Sequence, residues 1–275
     1  MGELNSISLT RFAATIAAMY GIEKPALADE PVRWAVDAMK DICREGFDRV
    51  FILNPDCCAQ WMYEKNPEAL YPVLKNTQIT IPFRTVMPSV TPVCFGTMYT
   101  GVLPEVHGLR KYEKPVIKVD SLFDALIRAG KKVALVSQPK ASMSNIFLER
   151  DFDIYNCACE GECVEKTREL IMKDEYDVLI LYTYMYDTQD HRFGPESKEA
   201  VAALYQQGAQ FDMLVSDIRR TWKNHNTLIS FSTDHGCHAT EPTEANKFHK
   251  GDHGSDSPLD LNILHFLGAV RRQEV

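Results

Sequence analysis

Residues 177–187 read Asp-Val-Leu-Ile-Leu-Tyr-Thr-Tyr-Met-Tyr-Asp, an apolar run that ends in an aspartate. Two more runs of the same kind end in the same way, since residues 49–56 close on Asp56 and residues 227–234 close on Asp234. Short apolar runs of this kind are typical of strands that are buried on both faces. Open α/β sheets bind their ligands beyond the carboxyl ends of such strands. We therefore expect the three aspartates to meet at one edge of a sheet.

Helix-like and strand-like segments alternate along the chain, which predicts an α/β fold with a mostly parallel central sheet and helices on both faces. The predicted strands lie at 50–53, 78–86, 132–136, 178–184 and 228–231. The predicted helices lie at 30–46, from Asn66-Pro67 to about Lys75, from Asp120 or Ser121 to Ala129, at 163–173, and from Ser197 to about Trp222. A short surface helix is expected at 12–20. No repeat or linker divides the chain, so we predict one domain over residues 1–275.

The chain is acidic, with a formal net charge of −8 over 275 residues. This charge argues against a general nucleic-acid binder, which needs a basic face, and it is compatible with carboxylates that bind cations. No segment approaches the roughly 20 apolar residues of a membrane span. The apolar stretch 12–20 is not preceded by the basic leader of a signal peptide. We therefore predict a cytoplasmic protein that does not associate with membranes.

The eight cysteines are expected to be free thiols, because a chain of this size can form a full core without disulfides. Cys157, Cys159 and Cys163 are spaced closely enough to hold a soft metal ion. They lack the paired Cys-x2-Cys spacing of a zinc ribbon, so a structural zinc there is the weaker interpretation. Cys57 and Cys58 follow Asp56 and are expected to pack in the interior.

The segment Ser89-Val-Thr91-Pro-Val-Cys94 places a hydroxyl directly before a proline and a short helical stretch, which is an N-cap arrangement. Thr91 would lie at the positive end of a helix, where backbone N–H groups favour anions by up to about 2 kcal/mol. Taken alone, the pattern predicts a plain helix cap. A divalent metal nearby changes this interpretation, because it lowers the pKa of bound water from about 15.7 to about 7. Beside such a metal Thr91 becomes a candidate nucleophile.

Histidines accompany two of the aspartate-ended strands. His191 follows Asp187 by four residues, one helical turn or one tight loop away, and Asp234 is followed by His235 and a glycine that supplies a turn. His253 lies in a glycine-rich loop that can fold back over the site. Each feature alone is weak, but together they suffice for two metal sites of about four ligands each. The candidate ligands are Asp56, Thr91, Asp187, His191, Asp234, His235 and His253.

Three stretches, in their order and spacing, resemble the alkaline phosphatase superfamily and in particular its nucleotide pyrophosphatase/type I phosphodiesterase branch. They are Thr91-Pro with Tyr99-Thr-Gly-Val-Leu-Pro-Glu-Val-His-Gly108 after it, Asp187-x3-His191-x2-Gly-Pro195, and Ser232-Thr-Asp-His-Gly236 with the later Asp-His253-Gly. The resemblance runs from about Val50 to Pro258 and implies an alkaline-phosphatase-like fold. The chain has no room for the large inserted cap domain of the phosphomutase branches. The Cys-x-Pro-x-Arg sequence of the sulfatases is not matched at Cys94.

The resemblance implies two divalent metal ions about 4 Å apart. Zinc is favoured by mixed Asp/His ligands, with manganese and iron as alternatives. One ion would be held by Asp187, His191 and His253, and the other by Asp56, Asp234, His235 and the Thr91 oxygen. By the same resemblance, Thr91 would attack phosphorus in line and form a covalent phospho-threonine, which water then hydrolyses. Positioning and charge stabilisation carry most of the catalysis in such reactions.

The chain departs from the family pattern at two positions. Cys94 stands where the branch carries an asparagine that donates to a phosphate oxygen, and Asp56 is followed by two cysteines instead of a glycine. We take Cys94 as a candidate substrate contact, although a thiol is a poor donor. Further candidate contacts are Tyr112, Lys114, Tyr182, Tyr184 and Tyr186. Among the other histidines, His107 is expected to shape a loop, His238 and His249 to support the ligands, and His225 and His265 to be incidental.

We predict a hydrolase of small-molecule phosphoesters, either a phosphodiesterase or a nucleotide pyrophosphatase. The alternatives are a phosphonate or phosphomonoester hydrolase with the same site, and a family member that binds metal with little turnover. A metal-free nucleotide-binding protein would need a glycine-rich loop after the first strand, and Asn54-Pro-Asp-Cys-Cys58 contains no glycine. The sequence leaves the oligomeric state open.

Overall fold

The structure, a computed structural model, describes residues 2–244 and 248–273. Within these residues the strands form one eight-stranded sheet and one two-stranded ribbon. The strands are β1 (Ile7–Ser8), β2 (Arg49–Pro55), β3 (Ile79–Arg84), β4 (Val133–Ser137), β5 (Asp153–Asn156), β6 (Val178–Thr183), β7 (Thr227–Ser232), β8 (His238–Ala239), β9 (Gly251–Asp252) and β10 (Asn262–Val270).

The helices alternate with these strands over most of the chain. They are α1 (Phe12–Tyr20), α2 (Arg33–Ile42), α3 (Gln60–Lys65), α4 (Pro67–Leu74), α5 (Thr91–Thr100), α6 (Pro104–His107), α7 (Leu122–Arg128), α8 (Ser142–Ile146), α9 (Glu160–Lys173), α10 (Met185–Phe193), α11 (Lys198–Thr221) and α12 (Pro258–Leu261). Local sequence explains several starts. Ser121 and Asp124 form a reciprocal capping box at α7, and the Ser197 hydroxyl accepts from the Ala200 N–H at α11. No helix in the described ranges is long and apolar enough to cross a membrane.

The order of strands in the large sheet is β1-β3-β10-β7-β2-β6-β4-β5. The three aspartate-ended strands β7, β2 and β6 are therefore neighbours, and they pair in parallel. Leu53 lies opposite Leu181 on one side and Phe231 on the other, so the three strands end at nearly the same level. This register brings their carboxyl ends to one edge of the sheet, as the sequence predicted.

The sheet is covered on both faces, and the side chains of its central strands alternate between two hydrophobic cores. In β2, Val50 and Ile52 pack with α1, α2, α5 and α7, whereas Phe51 and Leu53 pack with α4, α9 and α11. All four residues are buried. A strand buried on both faces has no polar side to mark it, which explains the continuous apolar runs of the sequence.

Most predicted elements are confirmed, with three differences. The helix at 12–20 exists, but the expectation of a surface helix is wrong, because α1 is buried along nearly its whole length. The second helix is shorter than predicted, since α2 runs only from Arg33 to Ile42. The sequence also failed to indicate β10, which pairs antiparallel with both β3 and β7. The ends of the predicted domain, residues 1 and 275, lie outside the described residues.

Two helical glycines differ in what surrounds them. Gly208 of α11 faces α4, where an added Cβ would lie 2.5 Å from the carbonyl oxygen of Ala69. Gly161 in the first turn of α9 is exposed, and its Cβ would meet only the Cys159 sulfur at 3.9 Å. The close approach of α11 and α4 therefore depends on Gly208.

Gly208→Ala should destabilise the protein, although alanine favours helix more than glycine does. The added methyl group forces the two helices apart, at a cost of about 1–3 kcal/mol in the free energy of unfolding. Gly161→Ala is the matched control and should be neutral or stabilising by up to about 1 kcal/mol. Urea unfolding of both variants measures the difference. Equal effects in the two variants would contradict the packing argument.

Candidate metal centre

The edge of the sheet at which β2, β6 and β7 end carries most of the candidate ligands. Asp56 follows β2 directly, and Asp234 lies two residues beyond the end of β7. After β6 the chain enters α10, which places Asp187 and His191 one helical turn apart. His253 comes from the segment after β9, whose ribbon with β8 folds over this edge. The candidate ligands therefore converge from four separate parts of the chain.

The first group of ligand atoms is centred on His235. The His235 Nε2 atom is 3.3 Å from Asp56 Oδ1, 3.4 Å from Asp234 Oδ2 and 3.3 Å from Thr91 Oγ1. All four residues are buried. Asp56, Asp234 and His235 together offer atoms close enough to share one metal ion.

The second group is centred on Asp187. Its Oδ1 atom is 3.4 Å from His191 Nε2 and 3.6 Å from His253 Nε2. This group is less deeply buried, with the Asp187 side chain 18% exposed and that of His191 29% exposed. The rings of His235 and His253 lie 4.1 Å apart between their centroids, so the two groups adjoin.

The three histidines share one orientation. Each places its Nδ1 atom against a backbone carbonyl at hydrogen-bonding distance and turns its Nε2 atom towards aspartate oxygens. The Nδ1 partners are the carbonyls of Gly251 for His191, Gly236 for His235 and Ser89 for His253, at 2.9, 3.0 and 2.9 Å. A ring that donates from Nδ1 presents a lone pair at Nε2, which is the arrangement of metal-ligating histidines.

The facing oxygens of the aspartates lack partners of their own. Among the described residues, the buried atoms Asp56 Oδ1, Asp187 Oδ1 and Asp234 Oδ2 form no hydrogen bond. Burial and the repulsion of Asp234 and Asp187 raise the pKa of Asp56 well above its ordinary value. Burial also raises the pKa of Asp234 to about 8. Lone pairs of nitrogen and oxygen that face one another in a dry site fit a cation between them, so these residues suit a metal ion.

Burial keeps His253 neutral. Burial and the neighbouring His235 and His191 together lower the pKa of this ring to about 2. A neutral imidazole is the form that binds metal.

Thr91 differs from its predicted place by one position. It is the first residue of α5, and Val90 occupies the N-cap, so the prediction of Thr91 as the cap is wrong. The N–H groups of Val93 and Cys94 both donate to the Val90 carbonyl, so they are not available to an anion. What the start of α5 presents to the metal groups is the Thr91 hydroxyl.

A cavity of about 500 Å³ adjoins the two groups of candidate ligands, and Thr91 lies in its wall. The predicted contacts Tyr112, Lys114, Tyr182 and Tyr184 line it as well. The Tyr182 hydroxyl donates to Asp56. Tyr186 is not part of the lining, because its hydroxyl is buried against Pro195 and Cys237.

The prediction that Cys94 contacts the substrate is wrong. It is fully buried in the core, where its sulfur contacts Thr85 and Val86. It is absent from the cavity wall, because it points from α5 into the packing against the sheet. The structure therefore gives a substrate no access to this thiol.

The remaining histidines have definite contacts. His107 bonds to Thr97 at 3.0 Å and shapes the turn after α5, as expected. His238 bonds to Asp260 at 2.8 Å, and His249 lies 3.4 Å from Asp252 beside the ring of His191. His249, Asp252 and His191 form a further group that could hold a metal ion. The sulfurs of Cys157, Cys159 and Cys163 are not among the ligand groups of the described residues.

Two residues that position the site were missed or misjudged from the sequence. His265 is not incidental, because its Nε2 atom bonds to the Thr233 carbonyl at 2.6 Å, next to Asp234. Asn54 donates to the Ser232 carbonyl and accepts from Tyr99, which ties the ends of β2 and β7 together. His265 lies on β10, a strand that the sequence did not indicate. Asn54 was detectable as a polar residue within an apolar run.

Comparisons with known proteins agree with the family resemblance noted in the sequence. The sequence model of the family "Type I phosphodiesterase / nucleotide pyrophosphatase" matches residues 121–257. No curated protein sequence matches the chain. The solved structure of murine ectonucleotide pyrophosphatase/phosphodiesterase 5 is similar, with a TM-score of 0.64 and 14% identity over 80% of this chain and 88% of that chain. An inactive threonine-to-alanine variant of the same murine protein, in complex with AMP, gives a TM-score of 0.63 at 13% identity over 80% and 88% of the two chains.

A bacterial structure is also similar. Phosphonoacetate hydrolase from Sinorhizobium meliloti 1021, in complex with phosphonoacetate, gives a TM-score of 0.52 and 16% identity over 73% of this chain and 59% of that chain. The chain thus shares the fold of these solved proteins. The family match over residues 121–257 and the similar folds indicate a phosphoester hydrolase that is related to the type I phosphodiesterase / nucleotide pyrophosphatase family.

The support that His265 gives to the Asp234 loop should be sensitive to acid. Burial lowers the pKa of His265 to about 3, whereas an unfolded histidine titrates near 6.5. Between these values only the unfolded chain takes up the proton, so stability is present above pH ~6.5 and is lost as the pH falls.

His265→Gln keeps a side-chain N–H donor and removes this titration. The slope of unfolding free energy against pH should be shallower in the variant, by up to about 1.4 kcal/mol per pH unit between pH ~6.5 and ~4. Chemical unfolding at a series of pH values measures it. His225→Gln, at the other end of β7, serves as the control. If both variants keep the wild-type slope, His265 is not the group responsible.

Proposed function

We propose that the protein hydrolyses small-molecule phosphodiesters or nucleotide pyrophosphates with two metal ions, through a covalent phospho-threonine at Thr91. The observation that carries the proposal is the arrangement around the Thr91 hydroxyl. It faces a buried set of histidine nitrogens and unpartnered aspartate oxygens at the mouth of a cavity. The first ion would be held by Asp187, His191 and His253, and the second by Asp56, Asp234, His235 and Thr91. Zinc fits the mixed oxygen and nitrogen donors best, and manganese or iron also accept them.

The chain supplies a nucleophile and the means to hold it. When bound, the two ions supply positive charge that polarises the phosphoryl group and lowers the pKa of coordinated hydroxyl groups. Thr91 is fixed at the start of α5, with its Oγ1 atom 3.3 Å from His235 Nε2. Attack by Oγ1 forms a bond to phosphorus and breaks the ester bond, so the alcohol or nucleotide leaves. Water then hydrolyses the phospho-threonine and restores the hydroxyl group.

Three aspartates, Asp56, Asp187 and Asp234, line the site, and carboxylates oppose the binding of an anionic substrate. Burial and the nearby charge of Asp187 raise the pKa values of both Asp56 and Asp234, a cost that bound cations remove. Metal binding and substrate binding are therefore coupled in this proposal.

The solved relatives support the role of a threonine. The murine structure with AMP is described as inactive and carries alanine in place of a threonine. A family member that binds metal without turnover is the rival to this proposal, and the complete set of candidate ligands argues against it.

The cavity favours a substrate with a second negative charge. Lys114 and Lys140 lie in the cavity wall, and the Lys114 ammonium donates to the Lys140 carbonyl at 2.9 Å. A nucleotide or a phosphonate with a carboxylate offers such a charge. This observation supports phosphonate hydrolysis as the second candidate function, in line with the similar phosphonoacetate hydrolase. A phosphomonoester is the third substrate type for the same site.

We further propose one hydrolase domain that acts in the cytoplasm. The large sheet draws strands from β1 near the start of the chain to β10 near its end, which supports a single unit. All eight cysteines are free, as is typical of a reducing compartment.

Thr91→Ala should lower kcat for a chromogenic phosphodiester by at least about 1,000-fold, because the nucleophile is lost. The variant should retain close to the wild-type metal content, since the six Asp and His ligands remain. Metal analysis and steady-state kinetics measure the two effects. Thr80→Ala, at an exposed position of β3, is the control. Full activity of Thr91→Ala would refute the nucleophile, and a wild-type protein that binds no transition metal would refute the metal centre.

Lys114→Met should weaken kcat/KM by about 10- to 100-fold for substrates with a second anionic group, because a charge-assisted hydrogen bond is lost. Hydrolysis of an uncharged-alcohol diester should change little. Lys111→Met removes a nearby exposed lysine that is not in the cavity wall and serves as the control. An equal loss of kcat/KM for both substrate types would mean that Lys114 does not bind the second anionic group of the substrate.

A further inference from the structure

A cluster of potential metal ligands lies behind the catalytic edge and has no part in the proposed reaction. It consists of Cys57, Asp190 and Cys237. All three residues are fully buried, with 0% of their surface exposed. One ligand atom from each, the two sulfurs and a carboxylate oxygen, lie within 4.8 Å of one another. Two thiols and a carboxylate are a donor set that binds zinc and other thiophilic divalent cations.

The carboxylate of this cluster is incompletely satisfied. Its Oδ1 atom forms no hydrogen bond with any described residue, although it is buried. Its Oδ2 atom has the Cys57 thiol at 3.9 Å, a weak donor. Burying a carboxyl group without a cation or a strong hydrogen-bond donor costs free energy. A cation bound beside Asp190 would remove this cost.

Cys57, which carries one of the two thiols, has an unusual backbone conformation. Cys57 has a φ of 68°, in the left-handed region that favours glycine, and it stands where the family commonly has glycine. A side chain at this position carries a conformational cost, which bonding of the thiol would offset. A fourth donor is also near, because the Gly236 carbonyl oxygen is 3.7 Å from the Cys57 sulfur.

The cluster joins three of the four chain segments that carry the aspartate and histidine ligands. Cys57 directly follows Asp56, and Asp190 directly precedes His191. Cys237 lies two residues after His235. A bond between these three side chains would fix the two loops and α10 relative to one another.

We propose that Cys57, Asp190 and Cys237 bind a third, structural divalent metal ion of the zinc type, distinct from the two catalytic ions. Binding releases the two thiol protons to solvent, so the ion is held by two thiolates and a carboxylate, with the Gly236 carbonyl as the fourth donor. The ion is sealed from solvent and enters as the chain folds. Its role is to hold the ligand-bearing segments in place, without contact to substrate.

Cobalt substitution separates this site from the catalytic ones. The proposed catalytic ligands are oxygen and nitrogen atoms only, so a thiolate-to-cobalt charge-transfer band in the near ultraviolet can arise only at a cysteine-containing site. Full-length protein produced in Co²⁺-supplemented medium should show this band. Metal analysis of the zinc-grown protein should give three ions per chain. Neither measurement requires activity, so the result is independent of the proposed function.

Variants identify the cysteines involved. Cys237→Ser should lose the band and one metal ion per chain and keep the other two ions. Cys163→Ser is the control, because it alters the separate group of Cys157, Cys159 and Cys163, and it should keep both the band and three ions.

Three results would overturn the proposal. The first is a wild-type protein with two ions per chain and no thiolate band, which decides the matter even if Cys237→Ser fails to fold. The second is a band that survives in Cys237→Ser and disappears in Cys163→Ser. The third is recovery of a Cys57–Cys237 disulfide by peptide mapping without reductant, which would make the pair a redox bond instead of a metal site.

Discussion

The arrangement of the catalytic edge depends on nitrogen and oxygen lone pairs that face one another at buried and partly buried positions. Three aspartate oxygens without hydrogen-bond partners oppose the Nε2 atoms of three histidines at 3.3 to 3.6 Å. Neither kind of atom can satisfy the other while the rings donate from Nδ1 to backbone carbonyls. Cations remove this conflict, and the geometry of the whole edge serves to hold them. The strand ends, the start of α5 and the ribbon all converge on these atoms.

Close backbone packing holds the converging loops in position. A Cβ at Gly236 would lie 2.2 Å from the Leu259 carbonyl oxygen, and one at Gly251 would lie 2.1 Å from Asp190 Oδ1. Buried polar bonds add to this packing. Asn54 ties the ends of β2 and β7, and His265 holds the Thr233 carbonyl beside Asp234. Site geometry of this precision requires ligands whose supports are themselves fixed.

The fold was largely predictable, because strands buried on both faces give continuous apolar runs and the long helices have clear starts. The failures have physical causes. Between β7 and β10 the described residues form only the two-stranded ribbon and the short helix α12, so the alternation of elements did not reveal β10. Helix α1 was taken for a surface helix, since a short helix that is apolar on all sides gives no pattern that tells where it lies. Cys94 was taken for a substrate contact from a family position, but its side chain packs into the core.

The sequence by itself determined the chemical types of the ligands, their places at strand ends and the class of reaction that they indicate. It did so because aspartate at the end of an apolar run is a local feature. Only the tertiary structure decided which ligands meet, since β7, β2 and β6 are far apart in the chain and become neighbours through sheet order. The same is true of the cluster of Cys57, Asp190 and Cys237, in which no pair is adjacent in sequence. Burial, which leaves these groups without water as a partner, is likewise a property of the folded molecule alone.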